Sequence, residues 1–111
     1  MRGRYFLDHL PAAADADEAL ADAVSVIRSM SVPFGAPSEP FGTYPTWWIS
    51  AGDLVDGTYL VQSTRSPFAT WLALPAACRA AAADGPLCVD PSDPTTAGDV
   101  LGALTPADLP Y

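Results

Sequence analysis

The chain has 111 residues with no lysine and no asparagine, and its five arginines face thirteen aspartates and glutamates, for a formal net charge of −8. That balance repels nucleic-acid phosphates and anionic lipid headgroups, which excludes binding through an ordinary basic patch; it leaves an acidic surface that either confers solubility or meets a basic partner. The length bounds one domain over residues 1–111. Half of the residues are hydrophobic, which predicts a folded chain, but much of that share is alanine, so Trp, Phe, Tyr, Leu, Val and Ile must supply the core.

Residues 1–14 read as an arm or short edge element with Tyr5, Phe6, Leu7 and Leu10 as anchors, docked on the chain's own core or on a neighbouring subunit. Asp8, His9 and Pro11 break any signal-peptide pattern, and no stretch reaches the roughly 20 apolar residues needed to cross a membrane. The expected location is cytoplasmic or inside a particle. Residues 15–30 carry the clearest helix: Asp15 can cap it, and Glu18 completes a box-like arrangement. Ala16, Leu20, Ala23, Val24, Ile27 and Met30 trace one apolar face, with Glu18, Asp22, Ser25 and Ser29 opposite. Pro33 ends it.

Residues 31–46 read as a Pro-rich extended connector. Pro33, Pro40 and Pro45 remove donors, Gly35 and Gly42 permit turns, and Phe34, Phe41 and Tyr44 pin it to a surface. Three strands follow, at Trp47–Ile49, Thr58–Thr64 and Phe68–Leu74, with turns at Asp53, Asp56-Gly57 and Ser66-Pro67. With bulk on both faces, this sheet is expected under two covers, the helix on one side and the connector or a partner on the other. Pro75 opens a helix through Ala83, stopped by Gly85-Pro86. Leu87–Val89 forms a last strand, and Asp90, Pro91, Asp93 and Pro94 a turn. Thr96 with Asp99, and Thr105-Pro106 with Asp108, carry start signals for two more short helices.

No group of residues compels a reaction. Cys78 and Cys88 lie ten residues apart without a C-x-x-C spacing; their alanine-rich surroundings predict buried free thiols, with a disulfide between them as the alternative. His9 follows Asp8, but neighbours on an extended segment point to opposite faces and no nucleophile or substrate is proposed within reach, and Ser25, Ser63 and Ser66 lack an elbow context. Asp53 with Asp56, and Asp90 with Asp93, fit turns better than a calcium loop. No metal or cofactor is expected. The stretch Asp56–Gln62 (DGTYLVQ) resembles the central-strand motif of the phosphotyrosine-binding SH2 family. Gln62, however, stands where that family has its anion-binding arginine, so no function is carried over.

The aromatic residues are the strongest functional signal. An adjacent Trp47–Trp48 pair cannot bury both rings in one core, and aromatic anchors dominate protein–protein hot spots. Tyr5, Phe6, Phe34, Phe41, Tyr44, Trp47 and Trp48 are therefore the candidate interface residues. The sequence reading is an α+β fold, a small antiparallel sheet against one main amphipathic helix, with the Pro-rich connector and extended terminal arms. Its expected role is a non-enzymatic structural or accessory subunit of a larger assembly, homo- or hetero-oligomeric, of which a virion or tail component is one form. The alternatives are an acidic inhibitor or immunity-type protein masking a basic surface, and a small enzyme.

Overall fold

A computed structural model describes residues 2–38, 40 and 42–108. The fold is mixed α+β, with several helices rather than one. Helix α1 (Arg2–His9) and helix α2 (Ala16–Ser29) precede a small ladder of β1 (Pro37–Ser38) and β2 (Gly42–Thr43). The main sheet contains β3 (Trp48–Gly52), β4 (Thr58–Ser63), β5 (Thr70–Ala73) and, after helix α3 (Leu74–Asp84) and β6 (Leu87–Cys88), strand β7 (Gly98–Asp99). A 3-10 turn at Leu101–Ala103 and strand β8 (Thr105–Pro106) complete the described chain.

The N-terminal arm is a helix, not an extended segment. Its sequence carries an Arg4–Asp8 pair at the i,i+4 spacing, joined at 2.8 Å, and such pairs support a helix only by a few tenths of a kcal/mol. Tertiary contact supplies the rest. Gly3 is buried against Met30, whose sulfur lies where a Cβ would stand. Arg2 donates from Nη1 to the Ser29 carbonyl at 3.1 Å, so a cation meets the negative end of α2.

Helix α2 starts as its sequence predicts. Asp15 accepts from the Glu18 amide at 2.8 Å, and Glu18 reaches back to the Ala14 amide, one residue beyond the usual partner in a capping box. Its burial differs from a single stripe, because both Val24 and Val26 are buried. At 100° per residue these lie on nearly opposite sides of the helix. Val24 faces the sheet beside Leu60 and Trp71. Val26 stands one turn before Met30, on the side that meets α1.

The main sheet has order β3-β4-β5-β7 and is mixed: its first three strands form an antiparallel meander, and β7 joins β5 in parallel. The register places Trp48, Ser50, Tyr59, Val61, Thr70 and Leu72 on one face and Ile49, Leu60, Gln62 and Trp71 on the other. Helix α2 covers the second face, where Arg28 donates from Nε and Nη2 to Gln62 Oε1 at 2.9 and 2.6 Å. The first face receives Val89, Pro91 and Val100, so its cover is the C-terminal segment and not the connector.

Three further expectations are corrected. The connector is a closed loop: Thr46 N donates to Val32 O at 3.0 Å and Val32 N to Thr46 Oγ1 at 3.0 Å, which joins its ends as in an Ω-loop. Thr96–Asp99 starts no helix; Gly98 instead turns at φ 77° into β7, and Asp99 Oδ1 accepts from Leu101 N at 2.9 Å. Thr105-Pro106 likewise becomes β8, paired antiparallel with β6. In both cases an available edge strand satisfies the backbone better than a helix too short to nucleate. Helix α3 follows its signals, with Pro75 in the first turn and Gly85 at φ 83° after the last.

Candidate functional site

Backbone bonds hold the tryptophan pair from both sides. Thr64 N donates to Trp47 O at 3.0 Å, and the Thr64 hydroxyl donates to the Thr46 carbonyl and to Trp47 O. Trp48 then enters the β3–β4 ladder opposite Ser63. The chain is thereby fixed while the rings stay outside: Trp47 is 58 % and Trp48 66 % exposed. Phe34, near the base of the closed loop, meets Trp47 edge to face with ring centroids 4.9 Å apart, and the Arg65 guanidinium lies over the Phe34 ring at 5.4 Å.

Trp47, Trp48 and Arg65 border an open groove of about 720 Å³. Trp48, Tyr59 and Val61 supply its sheet side, with Trp47 and Arg65 beside them, and Pro91 and Pro94 supply its wall from the loop after β6. That loop is shaped by its own carboxylates. Asp90 Oδ1 accepts from the Ser92 amide and hydroxyl, both at 2.8 Å, and Asp93 Oδ1 from the Thr95 amide and hydroxyl at 2.8 and 2.7 Å. These bonds stabilise the charged form and hold both carboxyls below the ordinary aspartate value: for Asp90 the Ser92 amide is the largest cause, for Asp93 the Thr95 hydroxyl. The turn expected at Asp90–Pro94 is therefore present and forms one side of the groove.

The structure brings together Phe34, Trp47 and Trp48 of the candidate interface residues. Tyr44 is 78 % exposed on the loop. Tyr5 and Phe6 form a separate aromatic group on α1, with centroids 5.8 Å apart. Phe41 lies outside the described residues. Two exposed apolar side chains escaped the sequence reading: Leu54 and Val55, at the β3–β4 turn, are 95 % and 91 % exposed. Asp53 accepts from Val55 N at 2.8 Å and fixes that turn. The available signal was an aliphatic pair placed between the turn formers Asp53 and Asp56-Gly57, where polar residues are the rule.

The residues considered for chemistry do not converge. His9 is exposed on α1, its Nδ1 2.7 Å from the Tyr5 carbonyl and its ring stacked on Tyr5. Cys78 and Cys88 are both free and both exposed, which corrects the expected burial and the alternative disulfide: α3 buries none of its side chains, so its alanines do not enclose Cys78. Ser63 and Ser66 are buried and accept from the amides of Arg65 and Phe68 at 3.3 and 3.2 Å. Among the described residues no group of three His, Cys, Asp or Glu side chains is placed to hold a metal ion. No described helix is long and apolar enough to cross a membrane. No protein-family model and no curated protein matches the chain.

Proposed function

We propose that this protein is a structural or accessory subunit whose exposed apolar groups are buried against other protein subunits, a virion or tail component being one such setting. The observation that carries this reading is the amount of surface left uncovered. The chain exposes 7898 Å², whereas a compact monomer of 11.6 kDa exposes about 5,800 Å². Its radius of gyration is 16.2 Å against about 13 Å for a chain of this length. The excess, roughly 2,000 Å² on one chain, exceeds the roughly 800 Å² per partner that a standard interface buries. No described side chain is fully buried, and the buried apolar residues are Val24, Val26, Ile49 and Val100. A core so sparse gains stability from whatever covers Leu54, Val55, Trp47, Trp48 and Tyr44.

The test is the native mass in the source material, by gentle purification, light scattering and peptide identification. The expected result is a defined complex well above 11.6 kDa, loosened by the pair Leu54→Ser and Val55→Ser with the subunit's own far-UV spectrum unchanged. A free monomer at every concentration, in source material and alone, overturns the proposal.

A further inference from the structure

We infer that the groove between the Trp47–Trp48 pair and the 90–96 loop receives an extended proline-rich segment of a partner chain, in polyproline II conformation, with an acidic residue beside Arg65. This rests on the assembly reading and names the chemistry of one of its contacts. The groove combines aromatic faces with fixed walls. Its volume, about 720 Å³, is within the range of ligand clefts, roughly 300–1,000 Å³. Aromatic-lined grooves suit polyproline II segments because these are already extended and lose little conformational freedom on docking.

Hydrogen-bond polarity distinguishes this ligand from others that stack on tryptophan. The polar groups that Trp47, Trp48 and Arg65 bring are donors only, and the Tyr59 hydroxyl can donate as well. Of the two serines that border the groove, Ser92 spends its hydroxyl hydrogen on Asp90 at 2.8 Å, and Ser63 is buried with its Oγ accepting from Arg65 N at 3.3 Å. No carboxylate or side-chain amide lines the groove. A proline segment presents solvated carbonyls and lacks the N–H groups that would need acceptors. A sugar presents hydroxyls that donate as well as accept, and meets no carboxylate or side-chain amide here.

Charge selects the acidic residue. Arg65 pairs with no carboxylate among the described residues, and it stacks on Phe34 at the edge of the groove. Asp90 and Asp93 each turn one carboxylate oxygen, Oδ1, onto Ser92 and Thr95 of their own loop, and neither pairs with Arg65. A second copy of this chain is a poorer occupant, since two chains each of formal charge −8 repel.

The test titrates the whole chain with a synthetic polyproline peptide bearing one aspartate, following tryptophan emission and heat. The expected result is saturable binding, weakened about thirtyfold by Trp48→Ala and about fivefold by Tyr59→Phe, which removes one hydroxyl and leaves the fold intact. Replacing the peptide's aspartate by lysine weakens binding about threefold. Equal binding of a Gly-Ser peptide of the same length, binding of a glucan oligosaccharide in place of the peptide, or full affinity in Tyr59→Phe overturns the inference. Absence of peptide binding by a protein that sits in a large native complex overturns it and leaves the assembly reading intact. Peptide binding by a chain that stays monomeric in its source supports the groove while the assembly reading falls.

Discussion

The two faces of the main sheet are covered by unlike material. Ile49, Leu60 and Trp71 lie under α2, a helix of fourteen residues with a side-chain cap at its start. On the other face, Tyr59, Val61 and Leu72 meet a C-terminal segment made of two-residue strands and turns, through Val89, Pro91 and Val100, while Trp48 stays open. Covering one face is thus a local achievement of a stable helix. Covering the other depends on many short pairings, and it stops before the aromatic end. The aromatic end of the first face is therefore the part of the sheet left exposed.

Breaking each face separately sharpens this contrast. Ile49 is 5 % exposed, and Ile49→Ala is expected to cost roughly 2–5 kcal/mol in urea unfolding. Trp48→Ala, on the opposite face in the same strand, is expected to change stability by less than about 1 kcal/mol while it weakens partner binding strongly. Equal losses at the two positions would show that Trp48 belongs to the core.

Asp15→Ala tests the helical cover alone. Loss of the cap to Glu18 N is expected to lower stability by about 1 kcal/mol, with the 90–96 loop unperturbed by NMR chemical shift.

The smallest effect concerns the irregular cover. Asp90 and Asp93 titrate below the ordinary aspartate value, so they bind protons more weakly in the folded chain than in the unfolded one. Their contribution to loop order is fully present above the ordinary value, about 3.9, and fades as pH falls through their lowered values. Chemical shifts of Ser92 and Thr95 amides, followed from pH 6 downward, are expected to move in that acid window, with α2 amides unchanged. A loop transition near neutrality would contradict this order.

Legibility followed the range of the interaction. The cap at Asp15, the opening Pro75 and the closing Gly85 act within one turn of the chain, and both helices lie close to where those residues place them. The meander of β3, β4 and β5 was readable from alternation and from Asp56-Gly57. Helix α1 was not, because Arg4–Asp8 is a weak local signal and Gly3 against Met30 is a tertiary contact. Exposure of one ring of the Trp47–Trp48 pair was readable from adjacency, since neighbours on a strand point to opposite faces; exposure of both beside one groove was not, because Trp47 precedes β3. Pro91 and Pro94 as a wall of the same groove were not, since nothing near them in sequence names Tyr59 or Val61.

The acidic charge balance, helix α2, the three-stranded meander and the aromatic content were determined by sequence alone, because composition, capping and alternation act over a few residues. Tertiary structure alone decided that β7 completes the sheet in parallel, that the C-terminal segment covers the second face, and that Leu54 and Val55 stand in solvent. Each of these depends on which edge or face the rest of the chain has left unpaired, and that is a property of the assembled layers rather than of any segment.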